Sequence, residues 1–467
     1  MSSQTRLVIL GAGPGGYVAA IRAAQLGAQV TLIENQALGG VCLNWGCIPS
    51  KALLAVVDLG EKLHQAKEWG IHLDGAFRYD LAQMVARKNG IVNRLVNGIA
   101  TLLKAWQVTH IQGTGELLHE RAVRVIKPDG TETQVPADAI IVATGSSWPD
   151  LPLFPVDGHA ILTSKELLDL KGVPARLLIV GGGVEGCEFA SLMSALGAHV
   201  MLVEMMDSVL PLEDEEISKA MERTLKKQKV RVHTGVTVER LDRSPESITA
   251  VLSNGGTLET DQILVSIGRR FRTQGIGLEK VGVELGTRGH IEVNERLETN
   301  IPGIYAIGDV VGKAMLAHVA SAQGKVAVEN ILEAPQSINY DVIPAGIFTL
   351  PEIGRVGITE QQAQARGAAY SVGRFRYAGL GKAQGTSETA GFFKIITDSQ
   401  TDAILGAHIM GAHAADLIHE AALAMQVNAP AKALAQMIHA HPTLSEGMME
   451  AAEDIEHLAI HQASTRK

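Results

Sequence analysis

The sequence predicts an α/β fold in which one strand–helix–strand unit occurs twice, the second copy inserted into the first domain, with an α+β domain at the C-terminus. Three observations predict it. An apolar strand runs into a glycine-rich turn at two places, Arg6–Leu10 into Gly11-Ala-Gly13-Pro-Gly-Gly16 and Arg176–Val180 into Gly181-Gly-Gly183-Val-Glu-Gly186. Each turn is followed by a helical stretch, a second strand and an acid, and 23 positions separate Gly11 from Glu34 and Gly181 from Glu204. A strand ending in glycine then returns three times, at Ile140–Gly145, Ile263–Gly268 and Ile304–Gly308.

The elements follow in order. Leu7–Leu10 is continuously apolar, as a parallel strand covered on both faces must be. The glycines permit a tight turn and a close approach of the backbone, and the helix N-terminus beyond them faces a pyrophosphate. That helix runs to Gly27, and the strand Gln29–Ile33 ends at Glu34, whose carboxylate suits ribose hydroxyls. The second copy repeats this with a helix to Gly197, the strand His199–Val203 and Glu204. Both copies are therefore read as dinucleotide-binding, Rossmann-like domains. Glu204 selects NAD over NADP, because a carboxylate repels a 2′-phosphate and Met205, Met206 and Asp207 offer no cation. The first copy is longer by an insertion, residues 38–110, and its motif alone admits NAD or FAD. Expected domains are 1–149, 150–275, 276–344 (the return of the first domain, carrying Gly308 and Asp309) and 345–467.

Composition excludes several classes. A formal charge of −9 over 467 residues lacks the basic footprint of a nucleic-acid binder. Hydrophobic residues at 46% supply a large core, so disorder is not expected. Leu7–Ile21 is uncharged after Arg6, but its glycines and Pro14 break it as a signal or membrane segment. With the first strand starting so near Met1, a soluble cytoplasmic chain without membrane attachment is expected. Three cysteines, Cys42, Cys47 and Cys187, cannot form a disulfide framework.

Cys42 and Cys47 stand in Gly39-Gly-Val-Cys42-Leu-Asn-Trp-Gly-Cys47-Ile-Pro-Ser-Lys51. Two idle thiols are one reading; a zinc site lacks further ligands nearby, and no metal is expected. Five residues along a regular helix place Cα atoms roughly 8–9 Å apart and about 140° around the axis. A disulfide needs about 4.4–6.8 Å. The pair therefore bridges only if the backbone is irregular, which Gly46 and Pro49 allow. A strained bridge in a cytoplasmic chain points to redox catalysis.

Near the C-terminus stands His439-Ala-His441-Pro442-Thr443-Leu-Ser-Glu446. A histidine oriented by a carboxylate makes a general base near neutral pH, and His441 with Glu446 is the candidate pair. His457 and His461, at helical spacing, lack a third ligand. Cys187 is expected to be buried packing, and Glu213–Glu216 a solvated helix start whose acids suit the dipole.

The paired nucleotide units, Cys-x4-Cys and the tail motif together resemble the pyridine nucleotide–disulfide oxidoreductases over essentially the whole chain, and most nearly the members that oxidise dihydrolipoyl groups. The resemblance implies FAD at Gly11, Gly13, Gly16, Glu34, Lys51, Ala143, Thr144, Gly145, Gly308 and Asp309, with Asp309 at the ribityl chain. It implies NAD at Gly181, Gly183, Gly186, Glu204 and Gly268. It implies a Cys42–Cys47 redox disulfide, with Cys42 as the interchange thiol and Cys47 beside the flavin, and a Lys51–Glu188 ion pair near the flavin ring. It implies that His441 serves the partner subunit's site in a homodimer built on the C-terminal dimerisation domain. The substrate is then a lipoyl group on a carrier protein or on the acyltransferase core of a 2-oxoacid complex. Rival readings are a glutathione-type flavin reductase, a specialised form serving a stand-alone lipoyl carrier, and a catalytically idle flavoprotein subunit. Three departures from the family pattern stand out: Glu185 where an apolar residue is usual, Trp45 between the cysteines, and Val319–Gln323 without the usual lysine and acids.

Overall fold

The computed structural model describes residues 4–463, so the outermost residues of the first and last expected domains lie outside it. Arg6–Leu10 sits in the middle of a five-stranded parallel sheet, between Gln29–Glu34 and Ala139–Val142. Leu7, Val8, Ile9 and Leu10 are all buried, which is why the strand carries no polar alternation. Thr109–Gln112 forms one edge. Ile304–Ala306 forms the other, pairing with Ala139–Val142, so this sheet is completed by chain on both sides of the second unit.

The second unit builds its own parallel sheet, in the order Arg231–His233, His199–Val203, Arg176–Val180, Gln262–Val265, Ile161–Leu162. In each unit the helix after the turn, Pro14–Gln25 or Val184–Ala195, packs its small residues against the sheet. Pro14 opens the first helix, a position where a missing N–H costs nothing. Each unit also carries a three-stranded antiparallel meander, 114–136 and 238–260, that the sequence reading did not separate.

The insertion is helical: Gly40–Trp45, Cys47–His64 and Leu81–Ala105. Gly40–His64 is long and apolar enough in composition to cross a membrane. It is interrupted at Gly46, however, and Leu43, Leu53, Leu54 and Val57 pack into the protein core. The C-terminal region forms a five-stranded antiparallel sheet, in the order Ala345–Ile347, Glu352–Gly357, Ile404–Gly411, Phe392–Asp398, Tyr370–Arg376. The helices Ala414–Gln426 and Glu446–Asp454 pack on it.

One expectation is corrected. Glu213–Glu216 does precede a helix, Glu215–Lys227, which Asp214 caps by accepting from the N–H of Glu216. It is not solvated. Glu213 and Asp214 are buried, Asp214 pairs with the equally buried Lys394 at 2.8 Å, and Glu213 pairs with Arg355 at 2.9 Å. These acids fasten the second unit to the C-terminal sheet. Cys187 is buried as expected, its thiol donating to the Gly182 carbonyl.

Candidate active site

The two glycine turns have nearly the same geometry. Gly11 and Gly181 adopt φ of +102° and +107°, and a side chain there would strike the carbonyls of Ala143 and Ser266. A Cβ on Gly16 or Gly186 would fall onto the carbonyl oxygen of Gly11 or Gly181. The acids are held alike as well. Glu34 accepts from the N–H groups of Ala12 and Gln36, both at 2.7 Å. Glu204 accepts from those of Gly182 and Met206, at 2.6 and 2.8 Å. Each carboxylate is thus anchored before any ligand arrives, with lone pairs left for hydroxyl donors.

A cleft of about 940 Å³ runs between the two turns. Gly11, Gly13, Glu34, Ala143, Thr144, Gly145, Gly308 and Asp309 line it on the side of the first unit, and Gly183, Glu188 and Gly268 on the side of the second. Cys42, Cys47 and Lys51 line it between them. The helix Ala317–Leu332 brings Ala317 and Ala320, in its first turn, to the same wall. Gly16, Gly181, Gly186 and Glu204 shape the turns from behind without lining the cleft.

Cys42 ends up near Cys47 because the helix breaks between them. Gly46, at φ −141° and ψ −113°, is neither helical nor extended, and Cys47 starts a new helix. Both cysteines are free thiols in this structure and stand side by side. The neighbouring Cys47 sulfur, reinforced by burial, pushes the Cys42 thiol up. The same contact pulls Cys47 below the ordinary thiol range; burial opposes this and the Lys51 cation assists it. Cys47 is therefore the member of the pair disposed to carry the thiolate. Lys51 Nζ lies 2.7 and 2.9 Å from the Glu188 carboxylate and 4.6 Å from the centre of the Phe348 ring. Glu188 is buried and also accepts from the Phe348 N–H at 2.9 Å.

His441 and Glu446 do not line this cleft. His441 Nδ1 meets Glu446 Oε1 at 2.8 Å, and Glu446 Oε2 accepts from the Thr443 N–H at 2.8 Å. Burial pushes the Glu446 carboxyl up, but those two partners outweigh it and hold it low. The His441 side chain is 76% exposed. His439 is its opposite: 2% exposed, with Nδ1 on the Met437 carbonyl and Nε2 on Glu420. Of the two histidines only His441 presents a ring nitrogen outward. The His441–Pro442 bond is cis.

The family model for pyridine nucleotide-disulphide oxidoreductases matches residues 5–324, and that of their dimerisation domain matches residues 343–452. The chain belongs to the pyridine nucleotide-disulphide oxidoreductases. It is 41% identical over 463 residues to the dihydrolipoyl dehydrogenase of Chlamydia muridarum, covering 98% of both chains. It is 42% identical to mitochondrial dihydrolipoyl dehydrogenase 1 of Arabidopsis thaliana, covering 97% of this chain and 90% of the other. Among solved structures, LpdA of Mycobacterium tuberculosis superposes with a TM-score of 0.92 at 32% identity, over 97% of this chain and 99% of that one. The expected architecture, two α/β nucleotide units followed by a dimerisation domain, is the family's.

This oxidoreductase also carries site residues that sequence reasoning passed over. Arg269 donates to the hydroxyl and carbonyl of Ser146 at 3.0 and 3.1 Å and lies 4.6 Å from the centre of the Trp148 ring. Its burial lowers the guanidinium's pKa. Ser146 Oγ in turn donates to Asp309 Oδ2. A signal was present, since Ser146 and Arg269 immediately follow Gly145 and Gly268, the paired strand-end glycines. Gln323, fully buried, accepts from the Gly308 N–H at 2.6 Å and donates to the Tyr340 hydroxyl at 2.9 Å, holding the Gly308–Asp309 turn in place.

Proposed function

We propose that this protein is a dihydrolipoamide dehydrogenase, holding FAD at the first glycine turn and NAD at the second, and acting as a homodimer. The observation that carries the reading is a cysteine pair beside Lys51, set in a single cleft that both nucleotide turns line. The cradle fits the two cofactors: Gly13 and Gly183 present bare backbone to the cleft, Glu34 and Glu204 are pre-oriented for ribose, and Lys51 stands beside Cys47. The dihydrolipoyl dehydrogenases among its relatives, similar along the whole chain, support the substrate.

The residues divide the work as follows. His441 of the partner subunit, its Nδ1 on Glu446, takes the proton of the incoming substrate thiol at Nε2. The substrate thiolate attacks Cys42 Sγ of the oxidised pair, and the S–S bond breaks with Cys47 leaving as thiolate. Lys51, fixed by Glu188, stabilises that charge. The second substrate thiol attacks the substrate's own sulfur in the mixed disulfide, and its proton passes to the leaving Cys42 sulfur. This closes the lipoyl ring, releases Cys42 as a thiol and leaves two electrons on the pair. FAD, when bound, supplies two-electron transfer between the cysteine pair and NAD⁺, so that in sum dihydrolipoyl and NAD⁺ become lipoyl, NADH and a proton.

His441 lies off its own chain's cleft and faces outward from a dimerisation domain, which supports a site completed by two chains. The physiological substrate is then a lipoyl group on a carrier protein or on a 2-oxoacid complex core, in the cytoplasm. Steady-state NAD⁺ reduction by dihydrolipoamide tests the reading. Turnover is expected with dihydrolipoamide and NAD⁺, and little with glutathione disulfide and NADPH. The reverse preference overturns it.

A further inference from the structure

We infer that Glu185 sets the preference of the second nucleotide site for the oxidised, cationic nicotinamide over the reduced, neutral one; this rests on the proposed NAD site. Glu185 lies in the first turn of the helix Val184–Ala195, one turn ahead of Glu188 on the same face, and both carboxylates line the cleft. Glu188 belongs to the Lys51 end, beside the cysteine pair. The Gly183 turn marks the pyrophosphate end. The nicotinamide part of a nucleotide held at that turn and reaching the proposed flavin beside Lys51 therefore runs along the stretch that Glu185 borders.

The carboxylate is fixed but not neutralised. Ser266 Oγ donates to one of its oxygens at 3.1 Å, which holds its direction and leaves its charge. Arg269 is a nearby cation that feels the Glu185 charge, but it makes no ion pair with it: its guanidinium bonds Ser146 and lies on the Trp148 face. A carboxylate so placed acts on two parts of the ligand. It repels the pyrophosphate, equally in both redox states, and it attracts the ring only when the ring is oxidised. The first effect cancels in the ratio of the two affinities and the second does not. At a separation of about 7 Å and an effective dielectric of roughly 40–80, the ring term is worth about three- to sevenfold.

The test uses flavin-loaded protein in its oxidised form and three probes: NAD⁺, 1,4,5,6-tetrahydro-NAD (an uncharged ring that donates no hydride) and ADP-ribose (no ring). Dissociation constants are measured by equilibrium dialysis for wild type, Glu185→Gln and Glu185→Lys. Glutamine keeps the Ser266 hydrogen bond and the side-chain volume, and the flavin spectrum checks that each variant is folded. Glu185→Gln is expected to tighten ADP-ribose and tetrahydro-NAD together, and to lower the preference for NAD⁺ over tetrahydro-NAD about three- to sevenfold. Glu185→Lys is expected to lower it further. A preference unchanged within twofold in both variants overturns the inference while leaving the NAD site intact. Failure of wild type to bind any of the three probes overturns the NAD site itself, and the inference with it.

Discussion

Replacing Lys394 by methionine tests how the second nucleotide unit is fastened to the dimerisation domain. Lys394 is 1% exposed, and its Nζ lies 2.8 Å from Asp214, 3.0 Å from Glu216 and 2.6 Å from Glu360. Glu216 and Glu360 also pair with Arg374 and reach water, so they tolerate the loss. Asp214, 0% exposed, does not: its charge would remain buried with only the backbone N–H groups of Glu216 and Glu360 as donors. Breaking a buried pair from one side costs about 3–5 kcal/mol. With an unfolding entropy of about 2.1 cal/mol/K per residue, a chain of this length melting as one unit loses about 3–5 °C. Differential scanning calorimetry of flavin-loaded protein reads this directly, and adding Asp214→Asn to the Lys394→Met variant should recover part of the loss. The pH dependence has a defined sign. Burial pushes the Asp214 carboxyl up, but Lys394 and the Glu360 N–H outweigh it and depress its pKa. Its stabilisation is therefore present above the ordinary carboxylate pKa near 4 and is lost as pH falls through the lower folded value. The gap between wild type and Lys394→Met should narrow in that range. A loss under about 1 kcal/mol at pH 7, or a strictly additive double mutant, would show that the cluster does not hold the two units together.

Four further outcomes are expected. His441→Gln should lower dihydrolipoamide turnover by about 10²–10⁴-fold while NADH-to-dye transfer is largely kept, the size expected for loss of a general base; equal loss of both activities argues against that role. Anaerobic addition of one equivalent of dithiol should produce a long-wavelength thiolate-to-flavin absorbance band, and its survival in Cys47→Ser would remove Cys47 from beside the flavin. Lys51→Met withdraws a cation that favours the Cys47 thiolate, so a pH titration of that band should move upward; no movement refutes the pairing. Gly181→Ala forces a methyl onto the Ser266 carbonyl at positive φ, so NAD binding in dialysis should collapse while bound flavin is retained.

What could be read from the chain and what could not divides by sequence distance. Gly11, Gly16, Gly181 and Gly186 were legible because each turn closes on itself within a few residues. A side chain on Gly16 or Gly186 strikes the carbonyl of Gly11 or Gly181, five positions back, and Gly11 and Gly181 themselves hold a positive φ that disfavours any other residue type. The break at Gly46 was legible for a similar reason: five residues of regular helix cannot bring two sulfurs together. The Lys51–Glu188 pair spans 137 positions, and only the resemblance to a family reached it. Arg269 was missed because its partner Ser146 lies 123 positions away, and the local signal, its place just after Gly268, does not reveal that partner or the tryptophan it stacks on. Glu213 and Asp214 were misread because an acidic run before a helix has a sufficient local explanation. The lysine that buries Asp214 comes 180 positions later, from another domain. His441 showed its base-like environment locally, through Glu446, but its distance from its own cleft appears only in the fold.

The near identity of the two turns raises the question of why one should keep its cofactor and the other exchange it. The geometry of their mouths supplies an answer. Over the first turn the insertion folds down: the Gly39 N–H donates to the Ala12 carbonyl at 2.8 Å, and Gly40, at φ +60°, packs so close to Gly13 that a Cβ would sit 2.7 Å from the Gly13 Cα. The chain that lids this turn then continues into Cys42 and Cys47. A nucleotide bound beneath it is enclosed by the segment that carries the redox pair, and leaving would require that segment to lift. Over the second turn the Leu210 N–H donates to the Gly182 carbonyl in the same way, also at 2.8 Å, but no glycine packs onto Gly183: among the described residues no atom lies within 4 Å of where its Cβ would stand. The segment that covers this turn carries no redox pair, so a nucleotide there can leave without lifting the cysteines. Under the proposed assignment one motif, duplicated, thus suits a resident flavin in one copy and a diffusible nicotinamide in the other, and the difference lies in the insertion rather than in the glycines.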